Sequence, residues 1–325
     1  MSESVLKIRD LRVTFNTQLG ELRAVRGVDV DVTPGEILGV VGESGSGKSV
    51  SFLAAMGLLP KSATITGSVE LDGVELIGAG RKAIRSVRGK SLAMVFQDPL
   101  SALNPVHRVG DQIVEMIQSH QDMNTHDAEK KAVELLEIVG IPQPDERALQ
   151  YPHEFSGGMR QRVVIAMAIA NNPKVLIADE PTTALDVTVQ AQILEVIQRV
   201  QQTFGTAVVL ITHDLGVIAR VADSVNVMYA GRNVESGSVQ SIFDHPSHPY
   251  TRGLLSSLPH EGIERLHPIA GFPPNMLAPP SGCGFAPRCQ HAIEACSAEL
   301  PSLSSFEDLL TSCIRADELR VGRRS

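Results

Sequence analysis

The chain has 325 residues, 43% hydrophobic and 20% charged, a mix that excludes a wholly disordered or collagen-like chain and supplies a sizeable core. Its 29 Lys and Arg against 37 Asp and Glu leave a net charge of −8, which argues against a dedicated nucleic-acid binder, and the absence of Trp argues against broad base-stacking platforms. The length suits one large α/β domain plus an appendage, no apolar run approaches the about 20 residues a membrane-spanning helix needs, and residues 1–10 do not read as a signal peptide.

Residues 5–15 alternate like a strand, and Gly20 marks a turn before a second alternation over 24–32 that stops at Pro34-Gly35. Residues 36–41 are a short apolar run suited to a buried strand, followed by a Gly-rich turn and a helix-forming stretch over 48–59. Residues 69–71 with Asp72-Gly73 read as a hairpin, and 92–96 as another buried strand. Between Pro99 and Tyr151 the period becomes helical, with apolar residues three and four apart over 109–117 and 128–139. Pro142 and Pro144 break this section, which is read as a helical insertion between two halves of an α/β core. A helix over 160–170 leads to a strand over 175–178, and a helix over 188–203 leads to a strand over 207–211. Such alternation implies a largely parallel sheet. Beyond Gly231 the pattern weakens into a Pro-rich extension that ends in four cysteines.

Gly42-Glu43-Ser44-Gly45-Ser46-Gly47-Lys48-Ser49 fits G-x-x-x-x-G-K-[ST], with a strand before it and a helix after it. Its glycines allow a tight turn whose successive N–H groups face phosphate oxygens, and the helix N-terminus adds its positive dipole end. Lys48 can reach the β- and γ-phosphates, and Ser49 can ligate Mg²⁺. Residues 174–180 form a second buried strand ending in Asp179 and Glu180, where ligands of α/β sheets bind. Asp179 suits the Mg²⁺ shell, and Glu180, one residue on, suits the attacking water.

The remaining motifs carry a resemblance. Phe155-Ser156-Gly157-Gly158-Met159-Arg160-Gln161-Arg162 resembles the signature of ATP-binding cassette (ABC) ATPases, with Phe155 for the usual Leu and Met159 for Gln. Gln97 matches the family's Q-loop, Ala184-Leu185-Asp186 its D-loop and His213 its switch histidine, while Phe15 stands where the family places an aromatic against adenine. Taken alone, Ser-Gly-Gly is a flexible turn and a lone histidine a structural one; the ordered set from 15 to 213 is what makes the pattern specific. The resemblance implies an α/β phosphate-loop fold of ABC type: a mostly parallel core sheet, antiparallel N-terminal strands, a helical subdomain and a C-terminal extension. It divides the chain into 1–98 and 161–240 as the two parts of the ATPase core, 99–160 as the helical subdomain with the signature, and 241–325 as the extension. It implies Mg²⁺ held through Ser49, Gln97 and Asp179, catalysis by Glu180, His213, Lys48 and Gln97, and a head-to-tail dimer. In that dimer Ser156, Gly157 and Gly158 cap the γ-phosphate bound to the opposite subunit, and Asp186 also contributes to the site.

Phe96-Gln97-Asp98-Pro99 and Ser101-Ala102-Leu103-Asn104-Pro105 resemble the dipeptide and oligopeptide importers, and His248-Pro249-Tyr250-Thr251-Arg252-Gly253-Leu254-Leu255 looks like the C-terminal hallmark of that subfamily. The resemblance implies an ATPase at the cytoplasmic face of a membrane. Its partners are a second ATPase subunit, as a heterodimer, two transmembrane permeases and an extracytoplasmic substrate-binding protein, with no nucleic acid. Nickel and sugar importers share these motifs. A soluble ABC ATPase acting on nucleic acid or ribosomes, and a scaffold without activity, are the rival classes.

All four cysteines, Cys283, Cys289, Cys296 and Cys313, fall in the last 43 residues at C-x5-C-x6-C-x16-C spacing. That is neither a zinc C-x2-C pair nor the ferredoxin run. Zinc, free thiols, disulfides and a [4Fe–4S] cluster all remain open on spacing; similar importer ATPases carry the cluster on such a set. Residues 42–49 are expected to belong to a core separate from this tail, so that changing Cys289 leaves nucleotide binding largely intact.

Overall fold

The computed structural model describes residues 3–183, 185–257 and 269–321. In chain order its strands are β1 (Leu6–Thr17), β2 (Gly20–Val32), β3 (Ile37–Val41), β4 (Ala63–Leu71), β5 (Val74–Glu75), β6 (Leu92–Val95), β7 (Val175–Asp179), β8 (Ala207–Thr212), β9 (Ser224–Tyr229), β10 (Arg232–Ser238), β11 (Ser304–Phe306) and β12 (Leu309–Thr311). The helices that matter here are α1 (Lys48–Ala55), α2 (Arg81–Val87), α3 (Pro99–Ala102), α4 (Val109–Gln118), α5 (Thr125–Ile138), α6 (Pro144–Ala148), α7 (Gly157–Ile169), α8 (Val187–Phe204), α9 (Leu215–Val221), α10 (Val239–Asp244) and α11 (Pro249–Ser256). They belong to two compact units: 1–5 with 32–37 and 78–211, and 6–31 with 38–77 and 212–325.

The first unit is built on parallel pairing of β6 with β7 and of β7 with β8. β7 and β8 are buried along their whole length, as the continuous apolar runs Val175–Ala178 and Ala207–Ile211 require when both faces are covered. α8 lays Ile193, Leu194, Val196, Ile197 and Val200 into the core at helical spacing. α4 buries Val109, Ile113 and Ile117, and α5 buries Ala128, Ala132, Leu135 and Leu136, on the period read from sequence.

The second unit holds an antiparallel four-stranded sheet in the order β2-β1-β4-β5. It also holds a mixed array in which β3 runs parallel to β9, and β9, β10, β12 and β11 follow by antiparallel pairing. The last two strands come from the tail. The Pro-rich stretch beyond Gly231, where the sequence pattern weakens, carries β10, β11 and β12, and the Glu235↔Thr311 and Gly237↔Leu309 pairs of β10 with β12 stitch the tail onto the core. Strands of three residues carry too little periodicity to be read locally. The helix expected over 48–59 stops at Ala55, and the one expected from 160 starts at Gly157 because Ser156 caps it. Among the described residues no helix is long and apolar enough to cross a membrane.

Candidate functional site

In the second unit, residues 42–49 wrap between β3 and α1. Gly42 has φ +153°, and a Cβ there would lie 2.1 Å from the Met228 carbonyl oxygen of β9, so no side chain fits. Ser44 and Gly45 are exposed at the crest, while Ser46, Gly47 and Lys48 are buried and Ser49 is half-buried. Lys48 Nζ donates to the carbonyls of Gly42 (2.7 Å) and Glu43 (3.1 Å), which ties the ammonium to the start of its own loop. Ser46 N donates to Glu43 O at 3.2 Å, closing the turn, and Gly47 leads into the amino end of α1. The loop thus presents main-chain N–H groups, a helix N-terminus and a cation, the chemistry that takes a polyphosphate. Phe15 is half-buried on β1, opposite Ala63. His213 is exposed between β8 and α9, with Asp214 behind it accepting from Gly216 N and Val217 N.

The loop is gripped from below by the tail. Glu43 N donates to the Tyr250 hydroxyl at 2.8 Å. Arg288 forms a fork on the Glu43 carboxylate, Nη1 to Oε2 at 2.7 Å and Nη2 to Oε1 at 3.1 Å. Its side chain is only 6% exposed. Burial works against the guanidinium charge, but the bonds to Glu43 and Tyr229 outweigh it and hold the pKa above the ordinary arginine value. Tyr229, Tyr250 and Phe285 pack as an aromatic cluster with centroids 4.5 to 5.4 Å apart. This overturns the expected separation of loop and tail: both belong to one unit and share a half-buried ion pair.

The His-Pro-Tyr motif is the start of α11. His248 caps the helix, its Nδ1 accepting from Tyr250 N at 3.1 Å, which requires a neutral ring; burial, helped by Arg252, pushes its pKa down to about 3. Buried Glu235 accepts from Ser247 N and His248 N, and burial pushes its pKa up to about 7. The motif is therefore a packed joint, not a surface turn.

In the first unit, β7 delivers buried Asp179, and the chain then turns sharply: Glu180 has φ +47°, a left-handed conformation that costs a non-glycine residue energy. Half-buried Glu180 accepts from Gln97 Nε2 at 3.3 Å and from Thr183 Oγ1 at 2.8 Å. The structure thus brings Gln97, Glu180 and Thr183 together. Sequence reading missed Thr183, although an i, i+3 hydroxyl beside a turn was a usable signal.

Ser156 caps α7, accepting from Met159 N, and Gly158 packs so closely that a Cβ would lie 2.4 Å from Val189 Cγ1. Asp186 caps α8, accepting from Val189 N at 3.0 Å. The signature and the expected D-loop are therefore in contact through Val189, a second residue the sequence reading missed. Ala184 of that loop lies outside the described residues.

Cys283, Cys289, Cys296 and Cys313 line one cavity together with His291 and Phe285. None is disulfide-bonded. Burial raises the thiol pKa values of Cys283, Cys289 and Cys313, the last to about 11. Among the described residues, however, no group of three or more His, Cys, Asp or Glu side chains converges to hold a metal ion. The expected [4Fe–4S] cluster and its zinc alternative thus find no preformed metal centre: the thiols share a cavity without converging on one point.

A family model for ABC transporters matches residues 25–183, and one for the C-terminal region of oligopeptide/dipeptide transporters matches residues 234–296. The oligopeptide transport ATP-binding protein OppD of Bacillus subtilis is 50% identical over 309 residues, 94% of this chain and 86% of that protein. A putative peptide import ATP-binding protein of Brucella melitensis is 49% identical over 98% of both chains. OppD of Mycobacterium tuberculosis is 52% identical over 98% of this chain, which spans only 53% of it. Among solved structures, the ATP-binding cassette MJ0796, in a dimeric post-hydrolysis state bound to ADP and Pi, matches with a TM-score of 0.64 at 25% identity, over 72% of this chain and 98% of that one.

Proposed function

This chain belongs to the ABC transporter family, in its oligopeptide/dipeptide branch, and we propose that it is the ATP-hydrolysing subunit that energises a membrane importer of dipeptides or oligopeptides. The observation that carries this reading is one chain holding both an intact phosphate loop at 42–49 and the peptide-transporter C-terminal region at 234–296. The relatives described above are named for peptides, which favours peptides over nickel or sugars.

Each site residue then has a role. The amides of 42–49 and Lys48 bind the phosphates, and Phe15 packs on the base. Glu180, steadied by Gln97 and Thr183, orients and deprotonates the attacking water, and His213 contacts the γ-phosphate. Ser156, Gly157 and Gly158 act at the nucleotide of a second ATPase subunit, with Asp186 beside them. By the family motifs Ser49, Gln97 and Asp179 would hold Mg²⁺, which would supply charge neutralisation at the phosphates; hydroxyl, amide and carboxylate oxygens are the hard donors that ion takes. Segment 99–160 is the helical subdomain and 241–325 the extension. Two permeases, a substrate-binding protein and a cytoplasmic-face location complete the assembly.

For the tail, four reduced thiols around one cavity, with Phe285 beside them, suit the soft-ligand chemistry of a [4Fe–4S] cluster, and a cluster spreads its ligands wider than a single ion does. Bound there, it would staple the short tail. About four irons per chain in anaerobically purified protein supports this; one zinc, or no metal, rejects it.

The functional test is ATP hydrolysis by the assembled transporter. Stimulation by binding protein loaded with di- to pentapeptides supports the reading. Stimulation by nickel or a sugar alone, or hydrolysis at full rate by a strictly monomeric chain, overturns it.

A further inference from the structure

We propose that the cysteine tail is a clamp on the phosphate loop: Arg288 and Tyr250 fix Glu43 so that the loop keeps its nucleotide-binding curvature, and a disturbance at the thiols reaches nucleotide affinity through Arg288. This rests on reading 42–49 as the phosphate site.

Glu43 is fixed at every polar group. Its N–H is on Tyr250 Oη, its carbonyl accepts from Lys48 Nζ and Ser46 N, and both carboxylate oxygens are on Arg288. Arg288 in turn commits all five N–H donors: two to Glu43, one to Tyr229 Oη at 3.1 Å, one to Ile269 O at 3.2 Å and one from Nε to Ala270 O at 2.9 Å. A guanidinium that is 6% exposed and fully spent is a built joint, and a lysine point charge cannot reproduce its fork.

The joint has an electrostatic consequence. Glu43 places a carboxylate inside a loop that receives polyphosphate, and Arg288 neutralises it. Without Arg288 that charge opposes the phosphates, and the loop loses its lateral support. Arg288 is also wired to the thiols. It ends a single 3₁₀ turn, Ala286–Arg288, flanked by Phe285 and Cys289, both of which line the thiol cavity. A change in what the thiols hold moves that turn, and Arg288 moves with it.

The test measures MgADP affinity of the full-length chain by calorimetry, well below the melting temperature. Arg288→Ala should weaken binding about tenfold or more, within the range of coupling between linked sites. Arg288→Lys should recover only part of this. The double variant Arg288→Ala/Glu43→Gln should bind better than Arg288→Ala alone, because the opposing charge is gone and only the lateral support is lost. Cys289→Ser should weaken binding in the wild-type background and add nothing in the Arg288→Ala background.

A lower melting temperature with unchanged MgADP affinity in Arg288→Ala would mean a merely structural staple and overturn the proposal. Unchanged affinity in Cys289→Ser would overturn the transmission from the thiols. If Arg288→Ala does not fold, Tyr250→Phe and Arg288→Lys carry the test, and wild-type affinity in both overturns it. Lys48→Ala separates the two readings. Lost binding there with normal binding in Arg288→Ala rejects the clamp alone, whereas normal binding in Lys48→Ala rejects the phosphate-site reading beneath it.

Discussion

Two glutamates, one in each unit, show how differently the same side chain can be held, and the difference matches the separate roles proposed for them. Glu180 sits in a left-handed turn, and among its partners are two neutral donors, Thr183 and, at a long 3.3 Å, Gln97. Glu43 is locked by a buried, bidentate arginine. For the general base proposed at Glu180, donors that can give way to an incoming water suit the task. A carboxylate that anchors a loop is best saturated by a cation. The strain at Glu180 and the saturation at Glu43 are the two halves of that contrast.

The largest effect should separate them outright. Glu180→Gln, in the assembled transporter, should lose about 10²-fold or more in turnover, the worth of a positioned base, while ATP affinity stays near wild type. Glu43→Gln keeps the shape and removes only a neutralised charge, so turnover should fall far less. Single-turnover hydrolysis checks both. If Glu43→Gln were the slower enzyme, the assignment of roles would be reversed.

The sequence made the first of these glutamates legible and hid the logic of the second. Gly42 to Ser49 is a contiguous pattern whose chemistry is local, and Asp179-Glu180 ends an apolar run whose length and burial are also local. β7, β8, α4, α5 and α8 appear near where periodicity puts them, because each buries a face set by its own residues. Arg288 is not legible in the sequence because its partner lies 245 residues away and nothing in Pro287-Arg288-Cys289 announces a charge to meet. Tyr250 was noted as part of a family hallmark, yet its work, closing on Glu43 N, is visible only in three dimensions. The short strands β11 and β12 are unreadable for the same reason: β12 is held by distant β10, and β11 in turn by β12, rather than by a pattern in their own residues.

The second prediction tests whether the tail supporting Glu43 is as tightly buried as its geometry implies. Glu235 is raised from 4.5 to about 7, so the folded state holds its proton more strongly than the unfolded chain does. Stability from this group is therefore full below pH 4.5 and lost as pH rises through 7. Neighbouring His248, lowered from 6.5 to about 3, has the opposite sign: its contribution is present above 6.5 and lost as pH falls toward 3. Subtracting the wild type from Glu235→Gln cancels the histidine. The variant should gain on the order of 2–3 kcal/mol relative to wild type between pH 4.5 and 8. Denaturant unfolding at a series of pH values measures this, and a constant difference would show that the joint is hydrated.

A third test probes the first unit, where close packing accompanies the yielding site. Gly158→Ala puts a methyl 2.4 Å from Val189 Cγ1, so one side must move. A loss of about 1–3 kcal/mol is the usual cost of such overpacking. Val189→Ala should restore most of it by making room. Rescue would show that the signature and the start of α8 are positioned by steric contact, sharpening the contrast with the hydrogen-bonded hold on Glu43. Equal losses in single and double variants would mean that Gly158 matters for its backbone instead.

The smallest effect bears most directly on how Glu180 is kept ready. Thr183 Oγ1 donates to Glu180 Oε2 at 2.8 Å, the shorter of the two bonds from neutral donors. Thr183→Val keeps the β-branched shape and deletes only that donor. A neutral hydrogen bond contributes about 0.5–1.5 kcal/mol net, so turnover should fall about two- to tenfold if the bond orients the carboxylate for attack on water. Nucleotide affinity should not change, since Thr183 is not among the phosphate-binding residues. Loss of turnover with nucleotide affinity and melting temperature unchanged, restored by Thr183→Ser, would establish Thr183 as a positioning residue acting through Glu180. Unchanged turnover would mean that Gln97 and the left-handed turn hold the carboxylate without help. A fall in turnover together with a fall in melting temperature would assign the hydroxyl to the turn itself.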